Sequence, residues 1–251
     1  MTDLTAFARA LLEARQTGKP MAVPAPGDGP QSAEEAYAVQ DLVIAALGEV
    51  GGWKIAPPKD GAGPRAGVIP ASAFLPVGAA AAAAIVGREL EVEIGVEMAA
   101  DLPGREQPYG IDDIRAAIGA IRPCFEVLES RYGDRTAVSF HQSTADMQSN
   151  FAVVVGPAST DWNRPEPFDG MVTLSEGGIV THNASGKPSL HVVLEAITWL
   201  ANHAAAHKLP LRRGQVIITG SRLGPLHPTG NWPLVAKYQG LPVLELSQNG
   251  V

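Results

Sequence analysis

The sequence is poor in several things, and each shortage closes a class of function. Only one of its 251 residues is cysteine, Cys124, so no internal disulfide can staple the fold, and the chain suits a reducing compartment. No apolar run approaches the ~18 uncharged residues of a membrane-spanning helix. No basic-then-apolar leader opens the sequence either, so a cytoplasmic protein with no membrane partner is expected. The net charge is −7, which argues against a nucleic-acid or anionic-membrane surface. An acidic protein that handles an anion needs a local positive centre, and a bound metal supplies one. The rest is ordinary for a globular chain: 45% hydrophobic residues, enough length for a full core and no internal repeat.

Chemistry concentrates between Arg88 and Arg131. Arg88-Glu89-Leu90-Glu91-Val92-Glu93-Ile94-Gly95-Val96-Glu97 alternates acid and aliphatic, which predicts a strand with one apolar and one carboxylate face. Carboxylates two residues apart on a strand sit roughly 6.5–7 Å from each other. They repel unless protons, basic side chains or a cation intervene. Two readings are open at this level. One is an edge strand with its acids in water. The other is a site for a hard divalent cation, which takes carboxylate and water oxygens. A short helix is predicted around Asp112–Ile118. The apolar segment Pro123-Cys124-Phe125-Glu126-Val127-Leu128-Glu129-Ser130-Arg131 follows, and its acids could add a third oxygen. Cys124 beside them reads as a buried apolar thiol.

The remaining pattern is one of short elements. Leu4, Phe7, Ala8, Leu11 and Leu12 have helical spacing, and Gly18-Lys19-Pro20 stops that helix. Ser32-Ala33-Glu34-Glu35 is a capping-box sequence that opens a second helix to about Leu47. Residues 1–50 are therefore expected to form a helical cap on a β-rich core of residues 51–251. Gly51–Ile55 reads as a strand, Val68–Gly78 as extended, and Ala79–Ala84 as a connector too short to stand as a helix. Phe151–Gly156 reads as a buried strand and residues 157–170 as loop. Met171–Leu174 and Ile179–Thr181 read as a hairpin about Gly177-Gly178. Ser189–His207 is the clearest helix, with Pro188 at its start. Gly214–Ser221 and Leu241–Leu246 complete the strands. His203 and His207 read as a solvated helix end rather than a metal pair. Gly186-Lys187-Pro188 lacks the upstream glycine and the hydroxyl residue of a phosphate-binding loop. Many short strands with few helices predict an α+β protein.

Glu91-x-Glu93-Ile94 and Pro123-x-x-Glu126-x-x-x-Ser130-Arg131 together resemble the fumarylacetoacetate hydrolase superfamily. Within it they are most similar to the 2-oxopent-4-enoate hydratase and 4-oxalocrotonate decarboxylase branch. Ala36-Tyr37-Ala38-Val39-Gln40, Lys54-Ile55 and the stretch from Gly214 to Gly220 also look like segments of that family. The resemblance implies a rolled mixed β-sandwich core, Mg²⁺ or Mn²⁺ on Glu91, Glu93 and Glu126, and Lys54 in the active site. It further implies Ser149 and Thr219 against a small-molecule 2-oxo acid substrate, and a homo-oligomer. The implied reaction is that of a lyase, the hydration of a 2-hydroxy-2,4-dienoate or 2-oxo-4-enoate of aromatic catabolism. Decarboxylation of a related 2-oxo dioate, acylpyruvate hydrolysis, and binding or assembly without turnover are the alternatives. The sequence departs from the family at Ala56-Pro57-Pro58 and its following loop, and at Glu129. It departs again at Arg65, where the family has an acid that assists proton transfer, and at Met147, where it has an amide beside Asp146.

Overall fold

Helical spacing at the N-terminus is realised as α1 (Leu4–Thr17) and α2 (Ala33–Leu47). Gly18 ends α1 in the left-handed conformation, which a residue without Cβ adopts freely. Ser32 accepts from the Glu35 amide at 3.1 Å, but the Glu35 carboxylate reaches back to Gln31 N rather than to Ser32. The computed structural model describes residues 3–25, 27–58, 63–185 and 187–248. The loop after Pro58 and Gly186, both weighed above, lie outside the described residues.

The strands and helices that follow are β1 (Val50–Ala56), β2 (Arg65–Pro70), β3 (Phe74–Leu75), α3 (Ala79–Ile85), β4 (Glu89–Met98), α4 (Ile111–Ala117), β5 (Ile118–Leu128) and α5 (Phe140–Ala145). Then come β6 (Asn150–Val155), α6 (Glu166–Asp169), β7 (Met171–Glu176), β8 (Ile179–Ser185), α7 (Leu190–Ala206), β9 (Val216–Ile218), β10 (Leu223–Leu226), β11 (Leu234–Tyr238) and β12 (Leu244–Leu246). The larger sheet runs β2-β1-β9-β4-β5-β6-β3, with β10 also paired to β4. The smaller runs β12-β11-β7-β8. The β1/β9 and β3/β6 pairs are parallel and the others antiparallel, so the architecture is mixed α+β as expected.

Strand alternation divides the larger sheet into two faces. Trp53, Ile55, Leu90, Val92, Ile94, Val96, Phe125 and Val127 point to the main core, which they share with Phe7, Leu11, Val39 and Val43 of α1 and α2. The opposite face carries Lys54, Glu91, Glu93 and Glu126 beside a smaller apolar cluster of Ile69, Cys124, Val153, Val216 and Ile218. Cys124 is fully buried, and that burial pushes its thiol pKa up.

One open reading closes and three expectations are corrected. The acidic strand is no edge strand: β4 lies inside the sheet, between β5 and β9. The alanine run is helical as α3, because Ala81, Ala82 and Ile85 are buried and packing supplies what so short a helix lacks alone. Residues 157–170 are not all loop, since α6 forms there. His203 and His207 are half-buried, not solvated. His203 stacks on Trp199 at 4.7 Å and meets Tyr37 of α2 at 4.2 Å, while His207 lies 2.9 Å from Asp41 of α2. Burial, with His207 adjacent, lowers the His203 pKa to about 4.

Candidate metal centre

The register of β4 and β5 sets Glu91 opposite Glu126 and Glu93 opposite Cys124. Carboxylate oxygens of Glu91, Glu93 and Glu126 consequently lie within 4.8 Å of one another. Glu93 and Glu126 are 1% and 0% exposed, and Glu91 is half-buried. Lys54 arrives from β1, and its Nζ stands 2.8 Å from Glu126 Oε1. The same oxygen accepts from Asn150 Nδ2 at 2.7 Å. Glu126 Oε2 is buried with no hydrogen-bond partner among the described residues.

Glu93 is held by a detour in the chain. β9 leaves β4 after Ile218 and β10 rejoins it at Leu223. Between them Thr219 N donates to Ile94 O and Arg222 N to Val92 O. The intervening Gly220, at φ 97°, donates its amide to Glu93 Oε2 at 2.7 Å. That left-handed backbone favours glycine. Buried Arg222 braces the detour by donating to Gly220 O at 2.6 Å and Thr219 O at 3.2 Å.

Three acids around one lysine leave negative charge that burial penalises. Burial raises the Glu91 pKa to about 7, with Glu126 adding to the rise and Lys54 opposing it. Burial, then Glu126 and Glu91, raise that of Glu93 well above its usual range. Burial works against the Lys54 ammonium, but Glu126, Glu91 and Glu93 outweigh it and raise the lysine pKa. Such a cluster must take up protons or a cation. The residues fit a hard divalent cation: all three donors are carboxylates, they converge, and one buried oxygen has no other partner.

No family model matches the sequence. A 2-hydroxyhexa-2,4-dienoate hydratase of Comamonas testosteroni is 31% identical over 147 residues, 59% of this chain and 54% of the relative. A 2-keto-4-pentenoate hydratase of Burkholderia vietnamiensis is 28% identical over 144 residues, 57% of this chain and 53% of the relative. The matched region thus spans about half the length of these curated relatives. In structure, the chain is similar to 4-oxalocrotonate decarboxylase from Pseudomonas putida G7, complexed with magnesium and adipate. The TM-score is 0.78 at 21% identity, covering 97% of this chain and 96% of that one. The fold is that of the fumarylacetoacetate hydrolase superfamily. The resemblance carried by the motifs is borne out in both sequence and fold.

The other residues singled out in the sequence stand around the three glutamates as follows. Thr219 is fully buried, and its hydroxyl donates to Ile94 O at 2.8 Å and accepts from Arg222 at 3.0 Å. That hydroxyl is committed within the protein, so Thr219 reaches the acids through Gly220. Ser149 is buried at φ 63°, next to Gln148, whose carbonyl accepts from Lys54 Nζ at 3.2 Å. Asp146 is ion-paired with Arg131, both buried, and Glu129 pairs with Arg88 at 2.8 Å. Arg65 places its guanidinium 4.4 Å over the Phe140 ring. Among the described residues it makes no ion pair or hydrogen bond to the three glutamates. Asn150, Gly220 and Arg222 were missed by sequence reasoning. The glycine and the cation straight after a strand were the available signal for two of them, and nothing local marks Asn150.

Proposed function

We propose that this chain is a metal-dependent lyase that hydrates a 2-hydroxy-2,4-dienoate, or the tautomeric 2-oxo-4-enoate, to a 4-hydroxy-2-oxo acid. Its cation would be Mg²⁺ or Mn²⁺ on Glu91, Glu93 and Glu126. The observation that carries this reading is the fully buried Glu126, with one oxygen accepting from two donors and the other unpartnered among the described residues beside two more carboxylates. The names of the sequence relatives support the reaction. A bound divalent cation would supply a Lewis acid that draws electron density from the 2-oxo acid.

The side chains have separable tasks. Lys54 uses two of its three N–H donors on Glu126 and the Gln148 carbonyl, which leaves one for a substrate carboxylate or enolate oxygen. Three carboxylates set against Lys54, Arg222 and a dication leave one surplus positive charge, which suits a monocarboxylate. Ser149 and the Thr219-Gly220 turn border the substrate. Burial of Glu93 and Glu126 keeps water from screening these charges. The resemblance also supports a homo-oligomer acting in the cytoplasm, and no described helix is long and apolar enough to cross a membrane.

Decarboxylation of a 2-oxo dioate is the second reading, supported by the likeness to a decarboxylase complexed with adipate. The test is the ultraviolet absorbance of 2-hydroxypenta-2,4-dienoate with protein and Mg²⁺ or Mn²⁺, with and without chelator. Metal-dependent loss of absorbance that yields 4-hydroxy-2-oxopentanoate is expected. Turnover unaffected by chelator would refute the proposal, and release of CO₂ from an oxalocrotonate-type dioate with no hydration would move the assignment to the second reading.

A further inference from the structure

The two oxygens of Glu126 are treated unequally. Oε1 accepts from Lys54 at 2.8 Å and from Asn150 Nδ2 at 2.7 Å, while buried Oε2 has no hydrogen-bond partner among the described residues. We infer that Asn150 is a positioning residue that fixes which oxygen of Glu126 is presented to the cation, and so tunes the site toward a small ion. The inference rests on the metal reading above.

The backbone around Asn150 is built for this contact. Met147, Gln148 and Ser149 have φ of 52°, 54° and 63°, three consecutive left-handed residues that are not glycine. Each such residue costs ~1–2 kcal/mol, and a run of them persists only where its surroundings over-determine it. Here the surroundings do. The Arg131–Asp146 ion pair anchors the start of the turn, where Arg131 Nη2 donates to Asp146 O at 2.7 Å. At its end Arg131 Nη1 and Arg15 Nη2 both donate to Asn150 O, at 2.8 and 2.9 Å. Gly67, opposite Lys54 in β2, leaves the turn room, since a Cβ there would sit 3.0 Å from Met147 O.

The strained turn places both partners of Oε1. Its Gln148 carbonyl holds Lys54 Nζ at 3.2 Å, and the residue that follows, Asn150, donates to the same carboxylate. A carboxylate with two donors on one oxygen cannot rotate without losing both. It therefore offers a single oxygen. Mg²⁺ takes single oxygens at short range in strict geometry, whereas Ca²⁺ accepts bidentate carboxylates and higher coordination. Release of Glu126 should then harm the smaller ion more.

Titration calorimetry of Mg²⁺ and of Ca²⁺ into wild type and Asn150→Leu tests this. The arginine contacts go to the backbone carbonyl of Asn150 and survive the substitution, and Asn150→Ala serves if the leucine variant does not fold. The expected result is a ~10–100-fold loss of Mg²⁺ affinity with less than about a threefold loss for Ca²⁺. Equal losses for the two ions, which general loosening of the fold would give, overturn the inference, as does unchanged Mg²⁺ affinity. If wild type binds neither ion, the metal reading itself fails and takes this inference with it.

Discussion

Along β4 the glutamates at the ends and those in the middle share one face of the sheet and meet different partners. Glu89 pairs with Arg135 at 2.7 Å and Glu97 with Arg122 at 2.5 Å, and both acids are half-buried. Among the described residues Glu91 and Glu93 form no ion pair with an arginine. They converge on Glu126, which pairs with Lys54. The difference lies in what crosses the strand: Arg122 comes from β5 and Arg135 from the loop after it, whereas the centre meets Cys124 and another acid. Matched, partly exposed pairs such as the outer two are worth ~0–1 kcal/mol. Buried acids without enough counter-charge cost several kcal/mol unless a proton or cation joins them. An unbalanced charge deep in a sheet is the mark of a site, and alternation alone does not reveal it.

Lys54→Met should break the contrast most severely. It strips the buried cation from Glu126, and loss of one partner of a buried pair costs ~3–5 kcal/mol. Chemical denaturation should show that loss in chelator and a partial recovery with Mn²⁺; an unchanged midpoint would contradict the account.

The inner acids should also make stability and cation affinity depend on pH. The Glu91 carboxyl moves from its ordinary 4.5 to about 7 on folding, so between those values the folded protein holds a proton that the unfolded chain has released. Its stabilisation is fully present below pH 4.5 and is lost as pH rises through about 7. The cation must displace that proton, so its affinity falls on acidification below pH 7 by up to about tenfold per unit for each proton displaced. Unfolding midpoints with and without Mn²⁺ should therefore differ more at pH 8 than at pH 6, and an equal difference would count against the assignment.

The smallest effect is expected at the outer pairs. Glu97→Gln should change stability by no more than ~1 kcal/mol and leave cation affinity as it was. A large loss of affinity would show that the two classes of acid are not distinct.

Much of this was readable from the residues. The period of two gave β4, while in the apolar segment that became β5 Glu126 stands out from Glu129 only through the family resemblance. The α2 cap followed from Ser32 and the hairpin from Gly177-Gly178. What stayed hidden depends on contacts distant in sequence. Lys54 is named by the resemblance alone, and its burial beside Glu126 becomes visible only once β1, β9 and β4 are adjacent. Gly220 and Arg222 serve Glu93 because β9 hands over to β10 across it. Two strands went unread, β10 with Pro225 inside it and β11 just after Pro233, since proline argues against a strand interior. The histidines of α7 took their character from Tyr37 and Asp41 of α2, which no local pattern announces.

On the proposed reading the middle of β4, and not its ends, holds a divalent cation. Calorimetric titration of Mn²⁺ into wild type, Glu93→Gln and Glu97→Gln tests it most directly. The account predicts that wild type and Glu97→Gln bind the ion alike while Glu93→Gln loses it. Binding by Glu93→Gln as tight as that of wild type would contradict it.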